Sequence, residues 1–385
     1  MINHFPLGEI SAEQFLAEYW QKKPLLIRNA FPDFIPPVTA DELAGLACEE
    51  DVESRLIIQN PDNDDWELEH GPFDEERFGE LPESHWTLLV QAVDHWSPEA
   101  AELMERFRFV PNWRIDDLMI SYAADQGGVG PHYDNYDVFL IQASGRRRWE
   151  IGGKYDQNSP RRPDVPVMIL PEWEAEEAWV LNPGDMLYLP PQVGHNGFAD
   201  GDDCMTYSVG FRAPAKSEIL RQYTDHLSDQ LTSEQRYADP DLKLQENSGE
   251  ISALAMSQVR QMFIDGLEGE ALERWFGRFM TEPKYPELFD ALQHNEDAPQ
   301  TTDLNSIDLL HRNEGSRFAY YSGEELVHLF ADGIEYPLAK EHLDFVQLLC
   351  SSPEVALNGQ AFCTEINRVL KALISNGSLY YETLD

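Results

Sequence analysis

Two histidines and a carboxylate carry the strongest chemical signal in the chain. His132 and Asp134 flank Tyr133, and His195 ends a distinctive downstream stretch that begins at Pro183. Two imidazoles and one carboxylate are the facial ligand set of non-haem iron(II) sites, which leaves the opposite positions open for dioxygen and a cosubstrate. Residues two apart in an extended strand share a face. His132 and Asp134 can therefore reach one ion from one strand while Tyr133 faces away, and the third ligand must come from a strand alongside. Pro183-Gly184-Asp185 marks a tight turn, Met186 to Leu189 a short buried strand, and Pro190-Pro191 stops the ladder because proline has no N–H to donate. His195 then follows at the next bend. His-x-Asp alone occurs by chance in many chains; joined to this turn–strand–Pro–Pro–His element, it points to a metal.

Three protein ligands on an octahedral ion leave room for a bidentate 2-oxo acid and for oxygen. Such a chelator needs an anchor for its far carboxylate, and Gly145-Arg146-Arg147-Arg148-Trp149 offers candidates. Strand alternation sends Arg147 and Trp149 one way and Arg146 and Arg148 the other. Parity does not choose the inner face. A buried guanidinium needs a carboxylate, supplied by a ligand in a bidentate fork or by an internal salt bridge.

The elements that must position these groups are legible in outline. Ser11 to Lys22, with Ser11 and Gln14 as a capping box, reads as a helix; Thr39 with Glu42 starts a second. Glu83 to Trp96 reads as a third, and Ser97-Pro98 opens a fourth that runs to Phe107. A short strand is expected at Leu25 to Ile27. From Trp113 onward, Ile115–Ala123, Val138–Ala143, Arg147–Ile151, Val167–Leu170, Ala178–Leu181, Met186–Leu189 and Met205–Phe211 are apolar or alternating runs punctuated by turn residues. That spacing argues a small barrel or jelly roll. Ser217–Asp229, Ile251–Leu267 and Glu270–Met280 return to helical patterns, and Thr281 to Pro286 reads as a linker. Strand signals at Arg317–Tyr321 and Glu325–Phe330 and an Asp332-Gly333 turn follow. Two helices (Glu341–Cys350, Phe362–Asn376) and a strand (Ser378–Tyr381) then suggest a winged helix.

Length and composition narrow the function. At 385 residues the chain holds two or three domains, with no apolar run long enough to span a bilayer. Met1 to Phe5 lacks the pattern of a secretion signal, and Cys48, Cys204, Cys350 and Cys363 are scattered, which suits a reducing cytoplasm. A net charge of −42 disfavours direct nucleic-acid binding and favours a basic partner, although acidic surfaces also serve solubility alone. The acid-rich run Asp62 to Glu69 reads as a solvated loop. Residues 286–385 carry five Lys or Arg against seventeen Asp or Glu, so a winged helix here is expected to act as a scaffold rather than to enter a DNA groove.

Gly130 to Phe139, Gly145 to Trp149, Pro183 to Pro191 with His195, Tyr207 to Arg212, and the Trp113–Ser121 lead-in closely resemble the bacterial JmjC-type ribosomal oxygenases. The resemblance runs the length of the chain and is most specific in the barrel. It implies an α+β architecture: a double-stranded β-helix (jelly roll, cupin/JmjC) catalytic domain at 1–214, a helical dimerisation domain at 215–283, and a winged-helix-like domain at 284–385. It implies a cytoplasmic, homodimeric iron(II)- and 2-oxoglutarate-dependent dioxygenase that hydroxylates the β-carbon of an arginine in a large-subunit ribosomal protein. By the same resemblance His132, Asp134 and His195 are the iron ligands, Arg147 grips the distal carboxylate of 2-oxoglutarate, and Ser121 and Thr206 hydrogen-bond this cosubstrate. Gln192 departs from the smaller residue that many cupins carry before the last histidine, which bears on the turn rather than on the ligand.

A target guanidinium cannot shed its charge. It needs a carboxylate, and aromatic stacking adds about 0.5–2 kcal/mol. Asp117, Met119 and Ser121 share a face of the first barrel strand, and Tyr136 continues the His132–Asp134 period. Asp117 is therefore expected to pair with the arginine, Tyr136 and Met119 to flank it, and Ser208 to add a polar contact. The bland alternatives are a capping Asp and a core Tyr. The rival functions are the same chemistry on a histidine, and a metal-dependent cupin enzyme that does not use 2-oxoglutarate.

Overall fold

The computed structural model describes residues 5–287, 304, 307–357 and 362–381, so Met1 to His4 of the amino-terminal reading lie outside it. The chain forms two compact units, Met1–Ala213 and Pro214–Asp385.

The first unit opens with α1 (Ala12–Glu18), β1 (Leu25–Ile27) and α2 (Ala40–Leu46). Thr39 and Glu42 close both halves of the expected capping box. At α1 only half forms: Ser11 accepts from the Gln14 backbone, while the Gln14 side chain turns to Glu18. Next come β2 (Ser54–Asn60), β3 (Asp65–His70), α3 (Glu75–Gly79) and β4 (Trp86–Val90). These strands correct two expectations. The acidic Asp62–Glu69 run is not simply a loop, because Asp65 onward forms the sheet's outermost strand, where Trp66 alone is buried. Nor is Glu83–Trp96 a helix: Thr87 to Val90 pair with Ala123 to Ile120. That pairing makes β4 an inner strand, and tertiary hydrogen bonding overrides the local helical pattern. Helix α4 (Pro98–Met104) has the expected Ser97 cap with Pro98 at its first position.

Strands β5 (Ile115–Ala123), β6 (Val138–Ser144), β7 (Arg147–Lys154), β8 (Glu177–Leu181), β9 (Met186–Leu189), β10 (Val193–Ala199) and β11 (Cys204–Phe211) complete the jelly roll. The larger sheet runs β1-β9-β6-β11-β5-β4-β2-β3, and the smaller runs β10-β7-β8. Val167–Leu170 is not a strand; Ile169 and Leu170 are buried plugs, and Leu170 is tied to Pro131 O at 2.8 Å. Alternation sorts the larger sheet into two faces. Leu118, Ile120, Phe139, Ile141, Tyr188, Tyr207 and Val209 join one core with Phe15, Leu43 and Leu103 of the amino-terminal helices. Val138, Leu140, Leu187 and Leu189 turn inward against Trp149, Ile151 and Leu181. The remaining inward positions of β5 and β11 include four buried polar side chains, Asp117, Ser121, Thr206 and Ser208, with the partly buried Met119 among them.

The second unit contains α5 (Lys216–Asp229), α6 (Ala253–Asp265), α7 (Ala271–Thr281), β12 (Leu309–Arg312), β13 (Phe318–Ser322), β14 (Leu326–Ala331), β15 (Ile334–Ala339), α8 (Leu343–Ser351), β16 (Glu354–Ala356), α9 (Thr364–Ser375) and β17 (Leu379–Tyr380). Its sheets run β16-β12-β17 and β13-β14-β15. Asp332 and Gly333, both left-handed, make the tight β14–β15 turn that the sequence marked. Among the described residues no helix is long and apolar enough to cross a membrane.

Glu335 on β15 binds this unit together. Its buried carboxylate accepts from Arg274 and Arg278 of α7, each at 2.7 Å, and meets His328 Nδ1 at 2.8 Å; His328 Nε2 in turn faces Glu270 at 3.1 Å. Burial alone would raise the Glu335 carboxyl, but hydrogen bonds from Arg274 and His328 and their charges hold it below its usual value. A depressed carboxylate stabilises above its unfolded pKa and ceases to as pH falls through the folded one. Glu335→Ala is therefore expected to lower the stability of this unit by about 1.5–3 kcal/mol at neutral pH, a difference that closes as pH drops below the ordinary carboxylate range. Denaturant melts at the two pH values check it; an equal deficit at both would contradict the charge-based account.

Candidate metal centre

The segment before β6 is laid beside β10 by two bridges, Gly128 with Phe198 and His132 with His195. His132 and His195 exchange backbone hydrogen bonds of 2.9 and 2.8 Å. Only a glycine permits this approach at 128, since a Cβ there would lie 2.4 Å from Gly197 O. His195 thus stands on a strand and not at a bend. Gln192 adopts φ +68°, and its N–H donates to Asp134 O at 2.6 Å, so this unusual turn ties the two ligand segments together.

The side chains converge as expected. His132, Asp134 and His195 are the group of potential metal donors among the described residues, with ligand atoms all within 4.8 Å of one another. Nε2 of His132 and of His195 lie 3.8 and 3.6 Å from Asp134 Oδ2. Donors sharing one ion at about 2 Å stand about 3–4 Å apart. Nδ1 of His132 faces Gly130 O at 2.9 Å, and Nδ1 of His195 faces Val193 O at 3.0 Å. A carbonyl partner requires the proton on Nδ1, which leaves each Nε2 lone pair directed to the shared point. Burial and the neighbouring His132, against the opposing pull of Asp134, push His195 down to about 4, so at neutral pH it is a neutral donor. The donor set and its tautomers fit a divalent metal.

Parity is resolved in favour of Arg147. It is 4% exposed, whereas Arg146 and Arg148 lie outside against Asp200 and Glu150. Arg147 Nη1 donates to Ser121 Oγ and Thr206 Oγ1, each at 3.2 Å, and Nη2 reaches Gly197 O only at 3.5 Å. Thr206 gives its own hydrogen to Gln142 Oε1 at 3.2 Å, so its oxygen is fixed as an acceptor for the guanidinium. No described carboxylate pairs with Arg147, and its Nε has no partner. Burial pushes this guanidinium below its usual pKa, yet arginine keeps its charge in proteins. The internal salt bridge that the sequence allowed is absent among the described residues.

The expected substrate residues gather less completely. Met119 lies across from Ser208, and Ser121 across from Thr206. Met119 packs beside Leu89 and Ile169, while Ser208 is buried on the inner face. Asp117 Oδ2 accepts from Gln91 Nε2 at 2.6 Å and from Ala92 N at 3.0 Å. The capping alternative is therefore realised, even though the carboxylate is in the barrel. Tyr136 is 43% exposed, not a core tyrosine; desolvation of its hydroxyl, beside Asp134 and Asp117, pushes that group upward. Gln91 and Arg55 were missed. Arg55 Nη2 donates to Gln91 Oε1 at 3.2 Å, which orients the amide toward Asp117. Both residues sit in segments whose strand character was not legible, and neither residue type carries a signal by itself.

Two family models match: the JmjC domain over residues 102–219, and the ROXA-like winged helix over residues 261–380. The chain is 40% identical over 296 residues to the ribosomal protein uL16 3-hydroxylase of Escherichia coli, covering 73% of this chain and 78% of that protein. It superposes on the crystal structure of Escherichia coli ycfD with a TM-score of 0.82 at 33% identity, over 97% of this chain and 99% of that one. A ycfD structure in complex with cobalt and 2-oxoglutarate gives 0.80 at 33% identity over the same shares. The chain belongs to the JmjC-domain ribosomal oxygenases.

Proposed function

We propose that this chain is an iron(II)- and 2-oxoglutarate-dependent oxygenase that hydroxylates the β-carbon of an arginine in a large-subunit ribosomal protein. The observation that carries the reading is Arg147: a buried guanidinium on the same barrel interior as His195, held by two hydroxyls and lacking a carboxylate. A metal-dependent cupin that does not use a diacid has no need of it. The Escherichia coli relative is named for 3-hydroxylation of uL16, and carbon 3 of an amino acid is its β-carbon. The related ycfD complex holds cobalt and 2-oxoglutarate.

In this reading His132, Asp134 and His195 hold the iron, and Arg147, Ser121 and Thr206 hold the cosubstrate. Iron(II) and 2-oxoglutarate, when bound, would let dioxygen act as the oxidant, one oxygen atom entering the succinate left as the diacid loses carbon dioxide and the other entering the arginine C–H bond. The protein positions and excludes. Asp117, oriented by Gln91 and Ala92, faces the incoming guanidinium; Met119 and Tyr136 flank its stem, and Ser208 contributes a hydroxyl. The acidic surface draws in a basic ribosomal protein, and such a substrate places the work in the cytoplasm. The decisive experiment incubates the protein with iron(II), 2-oxoglutarate and a uL16 peptide. Succinate should form in step with one added oxygen on an arginine. Oxygen on a histidine would reassign the target; peptide-dependent product without 2-oxoglutarate would overturn the reading.

Residues 1–214, 215–283 and 284–385 are proposed as the catalytic, dimerising and scaffold parts. Support for a homodimer comes from α5, α6 and the turn after α6, where Leu220, Leu254, Met262, Phe263 and Leu267 are each more than half exposed and α6 buries no residue. An apolar set of this kind marks an association surface. Sedimentation should give a dimer for the wild type and a monomer for Phe263→Asp; an unchanged dimer would remove this face from the interface.

A further inference from the structure

We propose that Arg55 binds an oxygen acceptor of the ribosomal peptide next to the target arginine, and so helps to select which arginine is hydroxylated; this rests on the substrate reading above. Strand register puts Arg55 on the inner face of the barrel. It stands opposite Leu89, Leu89 opposite Ser121, and Ser121 opposite Thr206, and directly paired residues share one face of a sheet. The side chain reaches toward the expected substrate residues. Nη2 donates to Gln91 Oε1 at 3.2 Å, and Gln91 Nε2 donates to Asp117 Oδ2 at 2.6 Å. The Arg55 charge also acts on the Tyr136 hydroxyl, drawing it down against the burial and the Asp134 and Asp117 charges that push it up.

What sets Arg55 apart is an unmet charge. The chain has 70 Asp or Glu against 28 Lys or Arg, so carboxylates are plentiful. Among the described residues none pairs with Arg55, whose side-chain bond is to a neutral amide. The residue is half-buried, and none of its nitrogens is an enclosed atom without a partner. Its remaining N–H groups therefore open to solvent, where a ligand can meet them.

The charges of the proposed complex point to that ligand. Asp134 and the two carboxylates of the diacid offset the iron and Arg147, and Asp117 offsets the target guanidinium. Arg55 is left over, and it repels an arriving arginine unless the same peptide brings an acceptor. Attack at a β-carbon brings one. That carbon is one bond from the main chain, so the peptide's own oxygens come to the barrel mouth with it. A guanidinium only donates, and either a main-chain carbonyl or an acidic side chain beside the target supplies the acceptor.

The test uses the full-length protein loaded with zinc(II) and 2-oxoglutarate, which does not turn over, and a uL16 peptide. Calorimetry compares this peptide with one whose target arginine is citrulline, a neutral isostere that keeps every flanking group and loses the ion pair with Asp117. Arg55→Met should weaken the citrulline peptide about ten-fold, the loss expected for one hydrogen bond from a charged donor. The arginine peptide should lose no more than that, since its repulsion by Arg55 is relieved in the same step. Amidating the acidic side chains of the citrulline peptide then separates the two acceptors: the ten-fold difference between wild type and variant vanishes for a side-chain carboxylate and persists for a main-chain carbonyl. A citrulline peptide that binds the variant as tightly as wild type would overturn the proposal and leave Arg55 as a support for Gln91 and Asp117. A variant that also loses 2-oxoglutarate would overturn it too, by placing Arg55 in the fold. Failure of the wild type to bind the uL16 peptide at all would instead overturn the substrate reading beneath it.

Discussion

Asp134→Ala protein will fold, bind iron poorly and leave the ribosomal peptide unmodified. Asp134 is the anionic member of the proposed ligand set, and both Nε2 atoms approach its Oδ2. Without it, two neutral imidazoles face a divalent ion with no compensating charge. Even groups that merely orient metal ligands are worth 10–100-fold in affinity or activity, so losing a ligand should cost product by more than about 100-fold. The fold has little stake in the carboxylate. Its side chain is partly exposed, and the segment is held through its backbone, by Gln192 N–H on Asp134 O and by the mutual His132–His195 bonds. The apoprotein should thus melt within about 1 kcal/mol of wild type. Iron titration, a thermal melt and peptide mass together separate loss of the metal from loss of structure. Wild-type product from this variant would mean that the three donors are not the iron ligands.

The parts of the site that rest on alternation could be read from the sequence, and those that rest on tertiary contacts could not. Along β5 parity alone put Asp117, Met119 and Ser121 on one face; Thr206 came only with the resemblance and Ser208 only as a residue of the last barrel strand, and the pairing of β11 with β5 sets them across from Ser121 and Met119. The same parity narrowed three arginines to two faces but stopped there. What decides the face is that Asp200 and Glu150 stand outside to pair with Arg146 and Arg148, and both partners are remote in sequence or unremarkable in type. The strand carrying His195 was obscured by Pro190, Pro191, Gly194 and Gly197. Two of those residues are glycine because aromatic rings lie on them: Tyr155 on Gly194 and Trp149 on Gly197. A pattern that reads locally as a bend is thus the imprint of packing from β7 and its following loop. Strand β4 was read as a helix for a similar reason. Trp86, Leu88 and Leu89 satisfy either period, and only its pairing with β5 selects extension. With β4 misread, Gln91 could not be placed next to Asp117.

Replacing Arg147 should separate stability from function in opposite directions. In the folded chain its guanidinium is buried among hydroxyls and a distant carbonyl, with Nε unpartnered. Removing an uncompensated buried charge in favour of an apolar side chain of similar length is neutral to stabilising, by up to about 1–4 kcal/mol. Arg147→Met apoprotein should therefore melt at or above the wild-type temperature. Its grip on 2-oxoglutarate should collapse, because truncating one partner of a buried charge pair costs about 2–5 kcal/mol, or roughly 30- to 5,000-fold in affinity. Saturating 2-oxoglutarate should raise the melting temperature of metal-loaded wild type, since a ligand that binds only the folded state stabilises it, and should not move that of the variant. If Arg147 were a structural residue, the variant would instead melt early and respond to the diacid as wild type does. The pattern expected here, a steadier apoprotein that no longer recognises its diacid, is the signature of a charge buried at the expense of the free chain for a ligand's carboxylate.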